Sequence, residues 1–165
     1  MTRSSAREIA IHCSYSLGFS TQSADELLQQ RLDKTGFLSW GEEDPLYGEY
    51  PNEKQLTYIN ALVRGVAEHA PELDQDISRY AKGWAFSRIP RTTTAIMRVA
   101  MYEILYMPEI PRKAAINEAV EIAKKYEDEK VVSFINGILG AFVRDQFPEN
   151  APKPVPRPAG EEPQA

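Results

Sequence analysis

The chain has 165 residues, 26% of them charged, a net charge of -5 and a single cysteine. That length suits one domain, with roughly two thirds of its unfolded surface buried. One thiol excludes a disulfide framework, His12 and His69 are too few to complete a zinc site around Cys13, and the acidic balance excludes a protein that coats nucleic acid by bulk attraction while leaving room for a local basic site.

No signal-peptide core and no apolar run long enough to span a bilayer are present, so a soluble, cytoplasmic protein without a membrane partner is expected. Ser5-Ala6-Arg7-Glu8 has the form of a capping box, and Ala6, Ile9, Ala10, Cys13 and Leu17 follow at helical spacing. They predict a helix over 5–18. Ser23-Ala24-Asp25-Glu26 repeats the signature before Leu27, Leu28 and Leu32, predicting a second helix that ends near Gly36. From Gly36 to Pro51, three glycines and two prolines mixed with Trp40, Tyr47 and Tyr50 predict a long acidic loop, read as an insertion. Asp25 to Glu53 holds eight carboxylates against Arg31 and Lys34.

Asn52 is placed to cap a third helix running to Ala70, and Pro71 to open a fourth running to Gly83. Trp84, Phe86 and Ile89 read as an apolar clamp between two halves. A fifth helix spans 92–107, with Ile96, Val99, Ala100 and Ile104 on its inner face. Pro108 and Pro111 bracket a turn. Ala115 to Tyr126 then divides into an apolar arc and a charged one, and Val131 to Phe142 carries an apolar face beside a strip of Ser133, Gly137 and Gly140. Two glycines in one helix cost about 1 kcal/mol each against alanine. Either another helix packs close there, or something outside the protein approaches the backbone. No strand-like alternation occurs. The expected fold is all-α, with about seven helices in two packed subdomains. Residues 1–147 form the domain. Residues 148–165, with six prolines, read as a disordered tail.

Convergent chemistry is scarce. The histidines occur as Glu8-x-x-x-His12 and Glu68-His69, neither with the Glu-x-x-His spacing of a helical di-iron site. Gly137 to Gly140 lacks the lysine and serine of a phosphate loop, and no nucleophile elbow is present. Lys124 and Lys125 are spaced to pair with Glu118 and Glu121. The reading is of a protein without catalytic residues, metal or cofactor. A binding role fits better: single-stranded RNA is held by aromatic stacking and backbone contacts. The candidate surface joins Arg3 and Arg7 to Lys130, Phe134, Asn136 and Gly137, with Phe134 at the border of the apolar face, open to a core role as well.

Ala6-Arg7-Glu8, Ile96-Met97-Arg98-Val99-Ala100-x-Tyr102-Glu103, Ile116-Asn117-Glu118-Ala119-Val120-Glu121 and Phe134-Ile135-Asn136-Gly137 resemble the NusB family of transcription antitermination factors, over about Ser4 to Phe147 without the acidic loop. The resemblance implies a two-subdomain helical fold without enzymatic activity. It also implies binding of the boxA element of ribosomal RNA leaders together with NusE, a small-subunit ribosomal protein, in the RNA polymerase antitermination complex of a bacterium. It carries the RNA surface onto Arg7, Tyr126, Phe134 and Asn136, and the NusE surface onto Tyr15 and Arg88. The chain departs from the family in having only Arg3 and Arg7 before and within the first helix and Ser133 where a base often stands. Weak unaided RNA affinity is therefore expected, and a helical protein-binding adaptor with little RNA affinity is the alternative. Arg98 and Glu103 are expected to pair with each other.

Overall fold

The computed structural model describes residues 1–149, so the tail reading falls almost wholly outside the described residues. Seven α-helices account for the described fold: α1 (Arg3–Leu17), α2 (Ala24–Arg31), α3 (Lys34–Ser39), α4 (Glu53–Tyr80), α5 (Arg91–Tyr106), α6 (Arg112–Tyr126) and α7 (Glu129–Gln146). Short 3-10 turns occupy Trp40–Glu42, Pro45–Tyr47 and Phe86–Arg88. The chain forms two compact units, Met1–Ala67 and Glu68–Ala165.

In the first unit α1 packs on α2, because Ala6, Ile9, Ala10 and Cys13 repeat on one face and meet Leu27 and Leu28 in the core. The cap of α1 is Thr2, not Ser5: the Thr2 side chain accepts from the Ser5 backbone N–H at 3.0 Å. This frees Glu8 from the capping role, and it is buried. Ser23 caps α2 as expected, accepting from Glu26 N–H at 3.1 Å and donating to the Glu26 carboxylate. That helix stops at Arg31, however, since Asp33 begins another by accepting from Gly36 N–H at 3.0 Å.

The stretch from Gly36 to Pro51, expected to be a loop, is folded. Phe37 and Tyr47 are buried and meet edge to face with centroids 4.8 Å apart, Tyr50 lies 5.3 Å from Phe37, and Trp40 packs on Tyr47. The Tyr47 hydroxyl is 2.6 Å from His12 Nδ1 on α1, and the Arg31 guanidinium sits 4.7 Å over the Trp40 ring. Aromatic area rather than backbone periodicity orders this segment.

Asn52 and Gln55 exchange reciprocal side-chain to backbone bonds of 2.9 Å at the start of α4. The helix then continues through Pro71 rather than ending before it. Proline at that position deprives the Ala67 carbonyl of its helical donor. The division between the units falls next to the same residue.

In the second unit α5, α6 and α7 pack on one another around Ile96, Met97, Ile104, Ile122, Ile135 and Phe142. Arg98 holds Asp74 through two bonds of 2.6 and 2.7 Å, in place of the expected pairing with Glu103. Asp74 lies nearly one turn before Ile77 on the same helix, a relation that local spacing around Arg98 does not contain. His69, buried, bonds the Glu72 carboxylate at 2.8 Å and stacks on Tyr106. Trp84 is not a clamp; it is 54% exposed, and Ile89 is the buried member of its segment. Asp128 caps α7 by accepting from Val131 N–H at 3.0 Å.

Candidate nucleic-acid interface

α7 sorts its residues by size. Ile135, Ile138, Leu139 and Phe142 turn into the core, leaving Ser133, Asn136 and Gly137 exposed. A Cβ built on Gly137 meets nothing within 4 Å among the described residues, and one on Gly140 meets the movable end of Arg144 at 3.1 Å. Among the described residues no helix packs at Gly137, so close helix packing does not account for that glycine. Phe134 is half-buried at the edge of this open face, its ring 5.4 Å from that of Trp84 and tilted by 54°. Lys130 is exposed one turn before it, and Tyr126, at the end of α6, is 41% exposed. On α6 itself Lys124 bonds Glu121 at 2.7 Å, one of the ion pairs that the spacing of that charged face predicts.

The first unit carries a smaller patch. Arg3 is exposed and its guanidinium lies 5.4 Å from the centre of the Tyr58 ring; Arg7 lies 5.9 Å from the same ring but is only 4% exposed. The sequence groups the two arginines on one surface, yet they differ in kind. Arg3 presents its charge to solvent, whereas Arg7 braces Tyr58. Beside them opens a cleft of about 180 Å³, lined by Arg3, Ala6, Asn52, Lys54, Gln55 and Tyr58. Tyr58 and Lys54 were missed by sequence reading. Their helical spacing from Asn52 is visible, but only the fold brings the Tyr58 ring beside two guanidiniums from the first helix. Tyr15 is 40% exposed and in contact with the Phe19 ring at 5.0 Å; Arg88 is exposed in the second unit.

These surfaces offer rings, cations and bare backbone. Among the described residues no group of three histidine, cysteine or acidic side chains is placed to hold a metal, and no helix is long and apolar enough to cross a membrane. The class that the fold defines is an all-helical protein with exposed rings and cations on two helical faces.

The comparisons with known proteins narrow the class. A sequence model of the NusB family matches residues 4–144, and the chain belongs to that family. The transcription antitermination protein NusB of Thermoanaerobacter sp. (strain X514) is 41% identical over 146 residues, covering 88% of this chain and 93% of its own. That of Acetivibrio thermocellus is 38% identical over 144 residues, covering 87% and 90%. The structure of T. maritima NusB superposes with a TM-score of 0.74 at 28% identity, covering 93% of this chain and 95% of that one. A structure of the antitermination factors NusB and NusE in complex with dsRNA shares the fold, with a TM-score of 0.68 at 23% identity, covering 87% and 96%. The family is one of transcription antitermination factors, and the chain is not an enzyme.

Proposed function

We propose that this chain binds the boxA element of ribosomal RNA leader transcripts as a single strand, together with NusE, and supports processive rRNA transcription within the RNA polymerase antitermination complex in the bacterial cytoplasm. The observation that carries the reading is the open face of α7, where Phe134 borders Asn136 and a Gly137 that nothing crowds. An aromatic ring beside bare backbone suits a splayed base with its phosphate close to the helix. Arg3, Lys130, Asn136 and Tyr126 supply charge and hydrogen bonds, and Arg7 acts through Tyr58. NusE is assigned to Tyr15 and Arg88. Support also comes from the names of the relatives and from the NusE and RNA partners of the structural neighbour.

Phe134→Ala is expected to lower affinity for boxA RNA by about 1 to 3 kcal/mol, the usual worth of one stacked base, while leaving the helical circular-dichroism signal intact. Loss of that signal would return Phe134 to the core. Burial of Arg7 favours a second reading, a protein-binding adaptor with little RNA affinity. Titration of boxA and scrambled RNA with NusE present separates the two, since equal weak binding to both RNAs selects the adaptor.

A further inference from the structure

We infer that Trp84 is a second stacking ring of the RNA surface, taking the base next to the one on Phe134. The inference rests on the RNA reading above and goes beyond it, because neither the spacing of the apolar residues nor the family resemblance assigns Trp84 any contact.

The backbone places this ring deliberately. Gly83 has φ of +84°, the left-handed region that a side chain strains, and it lets the chain leave α4 so that Trp84 N–H donates to the Ala81 carbonyl at 3.1 Å. The indole is thereby turned outward, 54% exposed, with one side against Phe134 at 5.4 Å. A single exposed hydrophobic side chain is ordinary. A pair of adjoining rings flanked by bare backbone is not: an added Cβ at Gly83 or Gly137 meets nothing within 4 Å among the described residues. The 54° tilt prevents both rings from stacking on one base, but it suits two consecutive bases of an unstacked strand, each on its own ring. Lys82 and Lys130 are both exposed, two residues before Trp84 and one turn before Phe134, where the intervening phosphates would pass. Of the acids at the entry of α7, Glu127 accepts from the Thr93 hydroxyl at 3.0 Å and Asp128 caps Val131, while Glu129 is exposed beside Lys130, so stacking rather than charge has to carry the contact.

The chain has two tryptophans, so Trp40→Phe leaves Trp84 as the sole indole reporter. In that variant, single-stranded boxA RNA is expected to quench the emission to saturation, whereas the same RNA annealed to its complement, or heparin, leaves it unchanged. In the wild-type background Trp84→Ala is expected to weaken binding about five- to hundredfold, and Trp84→Phe to retain most of it. Absence of quenching, with Phe134→Ala still weakening binding, overturns the role of Trp84 and leaves the RNA reading standing. If wild type does not bind boxA RNA even with NusE present, both fall. Equal quenching by heparin or by NusE without RNA overturns the inference in favour of a nonspecific or protein contact. Should Trp84→Ala fail to fold, the quenching experiment decides alone.

Discussion

Cys13 is 1% exposed in the core of the first unit, and burial pushes its thiol up to about 11 against the opposing pull of Arg31. The fold thus favours the neutral thiol, while the unfolded chain ionises near the ordinary value of 9.0. Stability from this group is full below about pH 9 and is lost as pH rises through about 11, a loss of about 3 kcal/mol. Tyr47, raised by burial to about 12, adds a second loss above about pH 10. Urea unfolding followed from neutral pH upward is expected to show the midpoint falling across this window, and Cys13→Ala to flatten the first part of the fall. A midpoint in the variant that falls as steeply as in wild type contradicts the assignment. Such an environment is only half legible in a sequence. The helical spacing of Cys13 predicts an apolar face, but the same reasoning treats Arg7 as a solvated cation, because Tyr58 lies 51 positions later in the chain.

At the level of elements, periodicity located α1, α5, α6 and α7, because each repeats apolar residues at helical spacing. It failed where something other than periodicity decides. Pro71 reads as a start, yet α4 runs through it, with Ile59, Leu62, Val63 and Val66 buried before the proline and Leu73 and Ile77 buried after it. Pro71→Ala restores a donor to the Ala67 carbonyl and is expected to raise stability by about 1 to 3 kcal/mol; a lower urea midpoint would show that the break is required. The segment 36–51 failed for the opposite reason, its order coming from rings at irregular spacing that close on His12. Gly137 allows a sharper test on α7. With open space around it, Gly137→Ala is expected to stabilise the helix by about 1 kcal/mol. If RNA backbone lies against that residue, the same methyl lowers boxA affinity. Thermal unfolding and an RNA titration of one variant should therefore move in opposite directions; a stabilised variant with unchanged affinity places the RNA backbone elsewhere.

For the molecule as a whole, the all-helical class was legible because every long apolar pattern has a period near 3.6. Which cations are open to a ligand was not legible, since that depends on burial. The net charge of -5 makes this a quantitative matter. Long-range repulsion opposes a polyanion, so affinity must come from stacking and a few local cations. Each phosphate neutralised on a single strand contributes about -0.7 to the slope of log affinity against log salt concentration. Arg3 and Lys130 are exposed, Lys82 joins them if Trp84 stacks a base, and Arg7 is buried. Two or three such contacts give a slope of about -1.4 to -2.1. Fluorescence anisotropy of labelled boxA RNA between about 50 and 200 mM salt measures it. Arg3→Ala is expected to make the slope shallower by about 0.7, whereas Arg7→Ala should leave the slope nearly unchanged and act through loss of the Tyr58 brace. A slope much steeper than about -3, or one that Arg3→Ala does not alter, would mean that the RNA follows a different set of cations, and the assignment of Arg3 would be wrong.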